Sequence, residues 1–162
     1  MKQLLFSLLV LASLQCFSQS TNLALNLPRV TSPGGKDINP SSLHVNQSVD
    51  FIVPVLNMGQ KVPVGANSVT IVIDLGNGVI ADPEANIQSS ALPDYFTWST
   101  SGNSLVGTLK TAIPADFMGN ATFRLKCVKP GVNTITMHLV YASEKLRPAT
   151  AHTTTTFMFK IF

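Results

Sequence analysis

The sequence predicts an all-β fold, an antiparallel β-sandwich of about seven to nine short strands in a single domain. Apolar residues recur at every second position along most of the chain, which is the period of a half-buried strand. Charged residues make up only 12% of the 162 residues, while Val, Thr and Asn are abundant. That balance favours strands and turns over helices. No stretch of about ten residues or more carries the spacing of an amphipathic helix.

Elements follow in order. Leu23, Leu25 and Leu27 alternate with Ala24 and Asn26 and read as a first strand. Thr31 to Pro40 (TSPGGKDINP) is dense in turn formers and reads as a loop. Val49, Phe51, Val53 and Val55 form the inward row of a second strand, and Pro54 places it at an edge or a bulge. Asn57-Met58-Gly59 turns the chain. Val69, Ile71 and Ile73 make a third strand, apolar enough to be central. Asp74 to Leu92 reads as irregular, broken by Gly76, Gly78 and Pro83. Strands over Tyr95–Ser99 and Ser104–Lys110 flank a hairpin turn at Thr100-Ser101-Gly102-Asn103. Ile113 to Gly119 crosses over. ATFRLKCVKPGVNTITMHLV (Ala121 to Val140) reads as a hairpin about Lys129-Pro130-Gly131. Its apolar face (Phe123, Leu125, Cys127, Ile135, Met137, Leu139) should meet the core, with Arg124, Lys126 and His138 in water. Thr153 to Phe162 is the closing strand, with Phe157, Phe159 and Ile161 in the inward row.

The N-terminus has Lys2 as a basic start, an apolar run from Leu4 to Leu14, and small or polar residues after it. This is the pattern of a secretory signal peptide and is too short to span a bilayer. Cleavage after Ser18 puts Cys16 and Ser18 at the small-residue positions before the cut, while Gln15 argues against lipidation of Cys16. Residues 1–18 are therefore expected as signal peptide and 19–162 as one domain. Removing 18 of 162 residues leaves 144, enough for one core. The expected location is extracellular or the cell surface, with the periplasm as the other compartment a signal permits.

The formal charge of +3 contains no basic run, which argues against nucleic acid as a partner. No later apolar run is long enough for a transmembrane helix. A closed membrane barrel would need strands of about 9–11 residues and aromatic girdles. Here aromatics are 7% of residues, and Lys160 interrupts the last alternation.

Cys127 is the one cysteine of the expected mature chain, so no internal disulfide can form. It shares the apolar row of Phe123 and Leu125, which reads as a small core residue rather than a nucleophile. Asp74, Asn77, Asp82, Glu84 and Asn86 offer oxygen ligands to a hard cation, but their spacing matches no calcium loop and fits a solvated turn. Tyr95, Phe96 and Trp98 could stack on sugar rings. Alternation instead sends Phe96 and Trp98 to the core and leaves Tyr95 alone. His44, His138 and His152 have no metal-ligand spacing, and no hydrolase, zincin or phosphate-loop motif is present. Asn46-Gln47-Ser48 and Asn120-Ala121-Thr122 match glycosylation sequons, relevant in a eukaryotic secretory pathway. No catalytic residue, cofactor site or metal site is expected.

The segments HVNQSVDFIVPVLNMG, SVTIVIDLGNGV and GTLKTAIPADFMGNATFRLKCVKPGVNTITMHLV, in that order, resemble the immunoglobulin-like repeat modules of bacterial surface proteins. The cell-adhesion-related domain of bacteria and related conserved-repeat domains are of this kind. The resemblance runs from about Leu43 to Val140. It rests on Asn57 and Gly59, on Ile113, Pro114 and Gly119, and on Gly131, Thr134, Ile135 and Thr136. The leader, ending CFSQ, is similar to those of Bacteroidetes. The resemblance implies an immunoglobulin-like sandwich that binds rather than catalyses, through a protein or cell-surface partner. Such modules occur in tandem, whereas no internal repeat is visible here. Pairing along the edge of the closing strand is the expected physical mode, and a carbohydrate-binding accessory module is the alternative.

Overall fold

The computed structural model describes residues 23–58, 64–143 and 153–162. The expected signal peptide, Gly59 and His152 lie outside these residues. Alternation builds two antiparallel sheets. The first contains β1 (Leu23–Leu25), β2 (Arg29–Thr31), β3 (Ser48–Asn57), β5 (Val79–Ala81) and β8 (Met118–Cys127). The second contains β4 (Val69–Asp74), β6 (Phe96–Ser101), β7 (Ser104–Leu109), β9 (Gly131–Tyr141) and β10 (Thr154–Ile161). One four-residue helical turn, α1 (Ile87–Ser90), follows β5.

In the first sheet β1 and β2 both pair with β3, which pairs with β8, which pairs with β5. The second runs β10–β9–β4–β7–β6. This is the ABED-on-GFC arrangement of an immunoglobulin-like sandwich, with β7 and β6 added beside β4. Each sheet turns one apolar row inward. Phe51, Phe123, Leu125 and Cys127 from the first sheet meet Ile71, Ile73, Leu105, Ile135 and Met137 from the second. Trp98 packs edge-on to Phe123 at 4.7 Å. Its ring lies over Gly107, the opposite residue on β7, where a Cβ would sit 2.6 Å from it.

The expected strands are present, and two more, β2 and β5, bring the described total to ten. Each is three residues long, too short to display a period. β4 is central, as its apolar character predicts. Three expectations are corrected. The first strand stops at Leu25, and Leu27 is 70% exposed. Leu25 pairs with Val55 and Arg29 with Ile52, so this side carries one extra residue, a bulge. Pro54 faces that bulge, the second of its two expected placements: its carbonyl accepts from Asn26 N–H, β3 is interior, and the ring costs no ladder bond. The β6–β7 turn is narrower than expected, since Ser101 already pairs with Ser104. Gly102, at φ 58°, supplies the positive φ that a two-residue turn demands first.

The largest correction concerns Ala121 to Val140. Strands β8 and β9 lie in different sheets and do not pair. The segment is an arch that carries the chain across the core, not a hairpin. Its two apolar rows face each other, while Arg124 and Lys126 lie on the outer face of one sheet and His138 on that of the other. Sequence alternation is identical for both geometries, because period two fixes which residues are inward and not which strand is adjacent.

Candidate functional site

β10 alternates as expected. Phe159 and Ile161 are buried, Phe157 is half-buried against Phe51 at 5.6 Å, and Thr155 Oγ1 donates to the Leu25 carbonyl of the opposite sheet. The outer row is Thr154, Thr156, Met158, Lys160 and Phe162, with Met158 70% and Phe162 55% exposed. Exposed Val132 stands opposite Lys160 on β9, and Lys160 Nζ sits 4.3 Å from the centre of the Phe162 ring.

Backbone parity decides what the edge offers. Leu139 N–H donates to the Thr153 carbonyl, so the odd-numbered residues of β10 bond to β9. The even-numbered residues point their N–H and C=O away from the sheet. Leu43 N–H donates to Lys160 C=O, Phe162 N–H to Leu43 C=O, and Val45 N–H to Phe162 C=O, which covers the far end of the edge. Among the described residues nothing pairs with the outward groups of Thr156 and Met158, and none of the hydrogen bonds of Thr154 engages its outward backbone. The result is a short open edge without a charged side chain between Thr153 and Phe159.

A polar row braces this edge across four strands. Ser104 Oγ donates to Asp74 Oδ1 at 2.5 Å, His138 Nε2 lies 3.4 Å from Asp74 Oδ2, and His138 Nδ1 lies 3.2 Å from Thr154 Oγ1. Hydroxyl, imidazole and carboxylate stand in line, yet on an exposed sheet face with no enclosing wall.

The five oxygen-bearing residues of the Asp74–Asn86 loop do not converge. Asp74 faces Ser104 and His138. Asp82 is buried, accepting from Ser48 Oγ and from Glu84 N–H, and Asn86 caps α1 by accepting from Gln88 N–H. Asn77 gives its N–H to Asn133 Oδ1. Among the described residues no group of three or more His, Cys, Asp or Glu side chains could hold a metal ion. An open cleft of about 420 Å³ separates this loop from the β6–β7 turn, floored by Leu75 and Leu105.

Phe96 and Trp98 are buried, and Trp98 Nε1 donates to the Ala91 carbonyl. Tyr95 packs half-buried on Phe117, so the aromatic row offers no sugar platform. Cys127 is fully buried, and burial pushes its thiol pKa up. Arg124 grips Asp50 with both Nε and Nη2, at 2.8 and 3.1 Å, and that hydrogen bond and charge raise its pKa.

Two buried polar residues make contacts that alternation does not foretell. Asn133 is buried, accepts from Asn77 and Gly78 N–H and donates to Leu75 C=O, clasping the turn after β4. Asn57 ends the inward row of β3 and donates to the Pro114 carbonyl at 2.8 Å, tying together two of the residues on which the resemblance rests. Each is a polar residue in an otherwise apolar row, which marks the position but not the partners it holds.

The fold is an immunoglobulin-like β-sandwich. No family model matches the sequence, and no curated protein is found as a relative. Solved structures do match. An Escherichia coli α2-macroglobulin fragment from domain MG7 to the C-terminus superposes with TM-score 0.59 at 13% identity, over 88% of this chain and 24% of that one. Salmonella α2-macroglobulin reacted with methylamine gives 0.57 at 12%, with 88% of this chain covering 9% of that protein. The CARDB domain of a Pyrococcus furiosus protein gives 0.50 at 12%, over 88% of this chain and 96% of the domain. At such identities the likeness is one of fold. It includes a domain of the class that the sequence resembles.

Proposed function

We propose that this chain is a secreted, non-enzymatic binding module of the bacterial surface-protein type, acting outside the cell or at its surface through a protein partner. The observation that carries the reading is the open edge of β10, with outward backbone groups at Thr154, Thr156 and Met158 beside exposed Met158 and Phe162. Such an edge accepts an extended chain by strand addition, the backbone supplying hydrogen bonds and alternate side chains supplying selectivity. The CARDB likeness and the signal-like N-terminus support the same reading. Nothing in the described residues favours the carbohydrate alternative, whose aromatic row is in the core.

The test uses a soluble, end-capped peptide of alternating Thr and Val with amide-resolved NMR of the protein. Binding should move the amides of Thr154, Thr156 and Met158 and be abolished by Thr156→Pro. That variant deletes an N–H the sandwich itself does not use. Shifts confined to other strands, or binding untouched by Thr156→Pro, would overturn the reading.

A further inference from the structure

We infer that the partner of the β10 edge is a second copy of this chain, joined β10 to β10 across a two-fold axis at Thr156. The inference rests on the edge-pairing reading and names its occupant.

The sandwich has two edges in each sheet, and three are blunted. The β1–β2 edge carries the bulge and Pro28. β5 is three residues long and is followed by Pro83. β6 has its Trp98 carbonyl taken by Gln88 Nε2 from α1. Bulges, prolines, short strands and covering side chains are the usual defences of an edge against pairing. β10 has none of them from Thr154 to Met158. Its single charge, Lys160, lies beyond, where Leu43–Val45 already cover the strand.

The open stretch is symmetric about Thr156. An antiparallel copy centred there places Thr156 opposite Thr156 and Thr154 opposite Met158. Every outward-facing residue then meets an outward-facing residue, and each such pair exchanges both backbone bonds. Side chains agree with this register. Thr meets Thr at the axis, and on the inner face half-buried Phe157 meets Thr155 of the copy, both favourable cross-strand pairs. No like charges oppose one another, because the segment has none. Its lack of charge also gives an unrelated partner no electrostatic feature to select.

Sedimentation of the chain from Gln19 to Phe162, from about 1 μM to about 1 mM, should show a reversible monomer–dimer equilibrium. Thr156→Lys opposes two ammonium groups at the axis and should raise the dimer dissociation constant at least about tenfold, with the melting of the dilute monomer unchanged. Thr156→Cys should form an intermolecular disulfide on oxidation, whereas Val132→Cys, also exposed but off the axis, should not. A wild type that stays monomeric throughout, or a dimer indifferent to Thr156→Lys, overturns the inference. If that monomer still binds the Thr–Val peptide along β10, edge pairing survives without the second copy. If it does not, both fall.

Discussion

Asn133 interrupts the inward row of β9 and holds three backbone groups of the turn after β4. Asn133→Leu keeps the volume but strands those groups without partners, and should cost about 2 kcal/mol or more in urea unfolding. Cys127 behaves oppositely, as an apolar residue in an apolar place. A thiol reagent should label it only after denaturation, and Cys127→Ala should cost about 1 kcal/mol or more through the cavity left. Burial raises its folded pKa above that of the unfolded chain, so the folded state retains the thiol proton longer. Stability from this source is full below the unfolded value of about 8.5 and falls as pH rises past it. The melting temperature should therefore decline above that pH, and decline less in Cys127→Ala. The identity of the core residues was legible because alternation encodes facing. The clasp of Asn133 was not, since its partners are backbone groups more than 50 residues away in sequence.

At the scale of elements, the chain advertises its strands better than their neighbours. The rows of β3, β4, β8, β9 and β10 follow from period two alone, whereas the pairing of β8 with β3 and of β9 with β4 is settled by packing across the core. Lys129-Pro130-Gly131 would turn a hairpin or an arch equally well. The short strands β2 and β5 gain their definition from β3 and β8, to which they pair, rather than from their own residues. In the Asp74–Asn86 loop the two aspartates are held apart, Asp74 by Ser104 and His138 and Asp82 by Ser48 and the Glu84 N–H. Calcium at millimolar concentration should leave the melting temperature unchanged within error. A saturable rise, abolished in Asp82→Asn, would reveal coordination that the dispersed carboxylates argue against.

For the whole molecule, β10 ties the last described strand to the first. Phe159 and Ile161 enter the core, Thr155 reaches β1, and Leu43–Val45 close over the end of the strand. Burying each large apolar side chain is worth about 1.5–3 kcal/mol, against a typical domain stability of about 5–15 kcal/mol. Deleting Thr155 to Phe162 should yield an unfolded or aggregating chain by circular dichroism and light scattering, and a soluble, cooperatively melting truncation would remove β10 from the fold. The strand's inward row was readable in the sequence. Its openness was not, because it depends on which backbone groups Leu43–Val45 happen to reach.

Amide hydrogen exchange along β10 tests the open edge most directly. In dilute protein the amides of Thr155, Phe157 and Phe159, bonded to β9, should exchange slowly, while those of Thr154, Thr156 and Met158 exchange fast. On concentration, or with the pairing peptide, the fast set should become protected. Uniform protection of both sets in the dilute monomer would show that the edge is already covered and would contradict β10 as the binding site.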